Sequence, residues 1–270
     1  MVLETIWDWM CDSMKHYYFI VEGPHDVAMI GRVLKLLGVK EIRSLNDISN
    51  LWKQLIPNKY PFSENKLDRV SPIPSFYQNE NVSVAIKSAG GDSKLISELD
   101  LTISAFARED LKQIEGILVF CDADESTQEE RFSHFIKVIK ESRDLSFNES
   151  CFENKIGMFN GVNIKADIYM FPNNESKGTL EDLLLQGASV VYKDLLVSAN
   201  EYVTNVDTKY KNRWSISSEK KVLMGCMTNI LKPGKANQVS ISDDKWVSEA
   251  TITGSEDIKK LYNFINEFIL

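Results

Sequence analysis

Histidine is scarce in this chain, with only His16, His25 and His134 among 270 residues. The three do not cluster, and neither HExxH nor GxSxG occurs, which excludes zinc-peptidase and nucleophile-elbow chemistry. The phosphate-cradling patterns GxxxxGK[ST] and GxGxxG are also missing, so nucleotide binding by those modes is excluded. Four cysteines (Cys11, Cys121, Cys151, Cys226) lie far apart, with no CxxC and no histidine at ligand spacing. Buried, reduced thiols are the expectation. No apolar run approaches the ~20 residues that span a bilayer, and the opening residues carry acids where a secretory leader would carry Lys or Arg. A cytoplasmic protein without a membrane partner is expected. Positive charge is in deficit as well, since 31 Lys and Arg face 39 Asp and Glu for a net charge of −8. A general nucleic-acid binder usually shows a basic footprint. Nucleic acid as a substrate would therefore need metal ions, a partner protein or a local basic patch to offset repulsion.

What is present is an ordinary globular composition, 43% hydrophobic and 26% charged, long enough to bury a sizeable core. The organising stretch runs from His16 to Asp26. Tyr17-Tyr18-Phe19-Ile20-Val21 is aromatic and β-branched, Glu22-Gly23-Pro24 breaks it, and apolar residues at helical spacing follow over 26–37. This reads as strand, tight turn and helix, with Gly38 as the stop. A short helix is expected over 1–15, with Ile6, Trp7 and Met10 on one side. Prolines 57, 61, 72 and 74 fall among Asn, Ser and Lys, so 39–80 reads as an irregular insertion after a short helix near 47–55. A strand over 82–87 runs into Gly90-Gly91, where backbone amides could approach a phosphate, and a helix over 94–108 follows. A continuous apolar strand over 117–121 ends in Asp122-Ala123-Asp124. Ser126 with Glu129 predicts a capping box opening a helix to about 142. Asn160-Gly161 predicts a hairpin between strands 155–159 and 162–171, and Thr179 caps a helix. The remainder reads as helices near 189–203, 217–231 and 255–269.

Strands alternating with helices predict an α/β fold, a mostly parallel Rossmann-like sheet flanked by helices, with a helical C-terminal extension. One domain is expected over 1–270, with its core about 15–188, the insertion about 39–80 and the extension about 189–270. Ligands collect at the carboxyl ends of parallel strands, and Glu22, Asp122, Asp124 and Glu181 each come just after a strand. Asp26 stands one helical turn from Glu22. Oxygen donors in that number suit magnesium or manganese. Clustered carboxylates without a cation raise one another's pKa. Each also has a plain structural reading: Asp26 and Glu181 occupy first helical turns, where acids are favoured in any case, and an isolated D-x-D is common in turns. Lys177 beside the last acidic motif would offset charge on a phosphoryl group.

Glu22-Gly23-Pro24-His25-Asp26 followed by Asp122-Ala123-Asp124 resembles the Toprim domain, the module shared by topoisomerases, bacterial primases and OLD nucleases. Phe171-Pro172-Asn173 followed by Gly178-Thr179-Leu180-Glu181-Asp182-Leu183 is similar to standalone OLD-like Toprim proteins, and the helical tail also looks like that group. The resemblance departs at Asn173 and Asn174, where an acid is common, and does not include 39–80. It implies a magnesium-dependent nuclease acting on DNA or RNA. In that reading Glu22, Asp122, Asp124 and Lys177 are catalytic, and Glu22, Asp26, Asp122, Asp124 and Glu181, with Asp182 beside them, hold two Mg2+ (or Mn2+) ions. It further implies a latent effector controlled by a partner ATPase of the ABC type in phage defence, as in the Toprim subunit of PARIS-type systems. The other class of function left open is a non-cleaving Toprim subunit that senses nucleotide or nucleic acid.

Overall fold

Strand β1 (Lys15–Val21) is buried at every position after Lys15. A strand with no polar face needs cover on both sides, and β1 accordingly takes the centre of the sheet. The computed structural model describes residues 14–57 and 73–270. From β1 the chain runs through α1 (Pro24–Leu36), β2 (Lys40–Ile42), α2 (Asn50–Lys53), β3 (Ser75–Gln78) and β4 (Val82–Ser88). After a 3-10 turn at Asp92–Lys94 come α3 (Leu95–Ala105), α4 (Arg108–Leu111), β5 (Ile114–Asp122), α5 (Gln128–Glu141) and α6 (Ser150–Glu153). The hairpin β6 (Ile156–Phe159) and β7 (Val162–Phe171) completes a seven-stranded sheet of order β2-β3-β4-β1-β5-β7-β6. The strands β4, β1, β5 and β7 are parallel, and β2, β3 and β6 join antiparallel at the edges.

The period-two alternation of β1 sorts its side chains between two cores. Tyr17, Phe19 and Val21 point into one, with α1 supplying Met29, Ile30, Val33 and Leu34. Tyr18 and Ile20 point into the other, against Leu99 and Ile103 of α3 and Phe135 and Ile139 of α5. The first layer also receives α7 (Leu180–Val191) and parts of α8 (Lys193–Asn205), α10 (Ile216–Leu231), α11 (Asn237–Asp243) and α13 (Glu256–Ile269). Short helices α9 (Thr208–Lys211) and α12 (Glu249–Gly254) connect them. The fold is thus a three-layer α/β sandwich whose helical extension packs directly on the sheet. Among the described residues, no helix is long and apolar enough to cross a membrane.

Local chemistry accounts for most element ends. Gly38 (φ +80) follows α1, and Asn160 (φ 44) with Gly161 (φ 79) turns the β6–β7 hairpin in the left-handed region such turns require. The capping box of α5 lies one residue later than Ser126 and Glu129: Thr127 accepts from the Glu130 amide, and Glu130 accepts from Thr127. The expected irregular insertion over 39–80 needs correction. Its two ends are β2 and β3, which lengthen the sheet beyond β4. Runs of three and four residues are too short to show a period, and Pro74 immediately before β3 reads as a breaker although proline is tolerated at a strand start. The expected helix over 1–15 falls outside the described residues except at its end, where Lys15 begins β1.

Phe268 of α13 fixes the extension to the sheet. Its ring meets Tyr17 at 5.8 Å and Phe19 at 6.3 Å between centroids, and Lys165 Nζ stands 4.2 Å from its centroid. Gly116 on β5 leaves room for it, because a Cβ there would lie 2.6 Å from the Phe268 ring. Phe268→Ala is expected to destabilise the protein by about 3–5 kcal/mol, read from urea unfolding. A loss below about 1 kcal/mol would show that the ring does not anchor the extension.

Candidate functional site

Three strand ends are tied together by main-chain amides around Glu22. The amides of Gly90 and Gly91, just past β4, both donate to the Glu22 carbonyl at 3.0 and 2.9 Å. Gly90 (φ +79) and Gly91 (φ +132) adopt backbone conformations that a side chain would oppose. These amides are spent on Glu22, so the glycine pair shapes the loop and does not offer its N–H groups to a phosphate. On the other side, Glu22 Oε1 accepts from the Asp122 amide at the end of β5 at 2.8 Å.

Two of the acids also cap helices. Asp26 Oδ2 accepts from the Gly23 amide at 2.8 Å, which closes the start of α1. Asp122 Oδ1 accepts from the Leu180 amide at 2.8 Å, one of the N–H groups that α7 leaves unpaired. Asp122 and Glu181 thereby meet at the N-terminus of α7, where the helix dipole favours negative charge. Glu181 is 4% exposed, and its Oε2 is buried with no hydrogen-bond partner.

Glu22, Asp26, Asp122 and Glu181 line one cavity of about 450 Å³, together with His25, Gly90, Gly91, Lys221, Met224 and Asn237. Its electrostatics follow from burial and crowding. Burial, then repulsion from Glu22 and Asp26, pushes the Asp122 carboxyl up to about 9. Burial pushes Glu22 up to about 7, with Asp92 repelling it further and the Asp122 amide opposing the rise. Burial, then repulsion from Glu22, pushes Asp26 up to about 7. His25 is lowered by burial against the attraction of Glu181.

The residues singled out in the sequence are only partly brought together. Asp124 is exposed, with a positive φ (52), and does not line the carboxylate cavity, although its charge still reaches Glu22. Its amide and carbonyl bridge to Gly178, both at 2.8 Å, and its side chain borders a second cavity of about 490 Å³ with Thr179, Ser215, Ser217 and Lys220. Asp182 is engaged elsewhere, accepting from the Thr179 amide at 2.9 Å and pairing with Lys220 at 2.6 Å. Lys177 is exposed and lies outside the carboxylate cavity; among the described residues the lysine that lines it is Lys221 of α10. Asn173, where the resemblance expects an acid, accepts from the Glu175 and Ser176 amides and donates to Asp257.

Sequence reasoning also missed Arg131. This buried guanidinium donates through Nε to the Asp122 carbonyl at 2.9 Å and pairs with Asp92, joining the two loops that flank Glu22. A capping-box helix was expected there, but nothing in its spacing marked Arg131 as facing the acids.

Among the described residues, no three of His, Cys, Asp and Glu form a ready-made metal cage. The donor chemistry nevertheless fits a hard divalent cation. The donors are all oxygens, Glu181 Oε2 is buried and unpartnered, and the acids crowd one another in a way that a positive ion relieves. Glu22, Asp26 and Asp122 each give one oxygen to a main-chain amide, leaving the other as the one available to such an ion.

A model of one family matches residues 16–270. The chain belongs to the DUF3226 family, described as a protein of unknown function. No curated protein matches it. Among solved structures it is similar to a hypothetical protein from Pyrococcus horikoshii OT3, with 18% identity, a TM-score of 0.53 and 94% of this chain over 95% of that one. This likeness supports the fold alone. More distant likenesses are to the C-terminal region of the Xanthomonas campestris pv. campestris OLD protein (12% identity, TM-score 0.34, 93% of this chain over 97%) and to a protein of unknown function from Thermoplasma acidophilum (14% identity, TM-score 0.29, 94% over 90%). Neither bears on function at that distance.

The raised carboxyls make stability depend on pH with a definite sign. For acids raised in the folded state, the stabilising contribution is full below their unfolded values near 4 and is lost as pH rises through about 7 and then about 9. Metal-free protein is therefore expected to lose several degrees of Tm between about pH 5 and about pH 9. Magnesium should restore more of the loss at the alkaline end, and Asp122→Asn should flatten the profile. A Tm of the parent protein independent of both pH and magnesium over that range would contradict the described electrostatics.

Proposed function

We propose that this protein is a divalent-cation-dependent phosphodiesterase of the Toprim type that cleaves nucleic acid. The observation that carries the reading is the convergence of Glu22, Asp26, Asp122 and Glu181 on one cavity at the carboxyl ends of parallel strands, with a buried, unpartnered Glu181 oxygen among them. Four acids so placed are costly without a cation. The motif resemblance at Glu22 and Asp122 supports the same reading.

Glu22, Asp122 and Glu181 would hold the cation, with Asp26 holding it or orienting Glu22 from one turn into α1. A divalent ion, magnesium or manganese, would supply Lewis-acid stabilisation of charge on phosphoryl oxygens. A second ion would draw on Asp124, which borders the neighbouring cavity. Glu22 would serve either as a ligand of the cation or, where it stays free of it, as general acid/base. Lys221 takes the part first assigned to Lys177: from the cavity wall it offsets negative charge building on the scissile group.

Control by a partner belongs to the proposal too. A net charge of −8 opposes unassisted approach of a polyanion, so the chain is read as latent alone and activated by an ATPase partner, in phage defence. Glu22→Ala and Asp122→Ala are each expected to lower magnesium-dependent cleavage of DNA or RNA at least about 10²-fold while the protein stays folded. The measurement is a panel of labelled DNAs and RNAs, incubated with and without the product of the adjacent gene. Undiminished cleavage by both variants would reject the site. Cation binding with no cleavage of any nucleic acid, even with the partner, would leave only a binding subunit. Strong, unspecific cleavage by the purified chain alone would reject latency.

A further inference from the structure

Acids outnumber basic residues in the chain as a whole, yet from Thr208 to Lys235 seven Lys and Arg face the single acid Glu219. The start of this stretch, Lys209-Tyr210-Lys211-Asn212-Arg213-Trp214, alternates cations with aromatic rings over α9 and the loop before α10. We propose that residues 209–214 are a docking strip for single-stranded nucleic acid that leads the strand toward the carboxylate cavity. The leading role rests on the phosphodiesterase reading above; the binding does not.

Exposure supports the strip first. Lys209, Tyr210, Asn212 and Arg213 are exposed, Tyr210 at 64%, and Trp214 is half-buried. Its positive charges are little compensated. Lys209 pairs with Asp207 at 3.4 Å, but both side chains are more than half exposed, and such pairs are worth little. Lys211 donates to the Thr204 carbonyl at 2.9 Å, a neutral partner that leaves its charge intact. Among the described residues Arg213 makes no ion pair. Lys209 Nζ lies 4.9 Å from the Tyr210 centroid and Lys211 Nζ 5.9 Å from that of Trp214. Each ring thus has a cation over one face, so a base stacked on the opposite face brings its phosphate near an ammonium group.

The position of the strip indicates where the strand goes next. Ser215 follows Trp214 directly and caps α10. Ser215, Ser217 and Lys220 line the cavity that holds Asp124, and Lys221, one residue on, lines the cavity that holds Glu22 and Asp122. One continuous segment therefore runs from exposed rings through hydroxyls and a lysine to the carboxylates. Aromatic stacking selects unpaired bases, since a duplex keeps its base faces inside. The strip also meets the charge problem of an acidic chain, by concentrating positive charge along the approach.

Binding of the full chain to labelled single-stranded and duplex 20-mers, of DNA and of RNA, is measured by fluorescence anisotropy in EDTA at two salt concentrations, where no cleavage occurs. Lys209→Gln, Lys211→Gln and Arg213→Gln together are expected to weaken single-strand binding at least about tenfold and to lower the salt slope by about 2. Tyr210→Ala with Trp214→Ala is expected to weaken it roughly tenfold at both salts with the slope unchanged, and Trp214→Phe to recover most of that loss. Strip variants that bind like the parent, duplex bound as tightly as single strand, or retention on anionic vesicles without oligonucleotide binding would each overturn the strip. If strip variants bind normally while Glu22→Ala abolishes cleavage, the strip fails and the phosphodiesterase reading survives. Binding that needs the strip with no cleavage under any condition does the reverse.

Discussion

The clasp around Glu22 is the constraint on which the site depends. Its carbonyl is held by two amides from the loop after β4, and its carboxylate by the amide that ends β5. Parallel strands deliver their carboxyl ends to one edge of the sheet, and these bonds fix the angle at which they arrive. Repulsion among the acids pushes outward, and the main chain holds against it. Arg131 adds a second tie from α5, joining the Asp122 carbonyl to Asp92. The acids are therefore preorganised by backbone groups and one buried guanidinium, which does not require them to be comfortable as neighbours.

The helical extension is a wall of that site as well as a cover for the sheet. Phe268 seats α13 against β1 and β5, and α10 and α11 bring Lys221, Met224 and Asn237 to the cavity that the strand ends open. The cationic group of the cavity thus comes from nearly two hundred residues after Glu22. Shape and charge of the site are shared between the α/β core and the extension.

Much of this was legible in the sequence, for identifiable reasons. The β1 run ending in Glu22, the β5 run ending in Asp122, the Asn160-Gly161 turn and the Thr179 cap are local, and each rests on a few adjacent residues with strong preferences. What escaped was either short or non-local. Strands β2 and β3 have too few residues to show alternation, and their pairing depends on β4. Asp122 and Asp124 read as a matched pair by spacing. The positive φ of Asp124 and its bridge to Gly178 put it on the neighbouring cavity, and a backbone reversal set by a partner 54 residues away leaves no mark on D-x-D. Lys177 looked close to the acids because it is close in sequence, whereas Lys221 reaches them only through the packing of α10.

Asp122 has one further consequence. The same carboxyl that belongs to the acidic cluster accepts the first amide of α7, so the charge state of the site and the firmness of that helix start are one thermodynamic quantity. An ionised Asp122 is a strong acceptor at the positive end of a dipole, and a protonated one is a weak one. α7 also carries Asp182, paired with Lys220 of α10, and α10 borders both cavities and continues from the basic strip. Ionising Asp122 would thereby firm the start of a helix that is itself paired to α10, the element that continues from the basic strip.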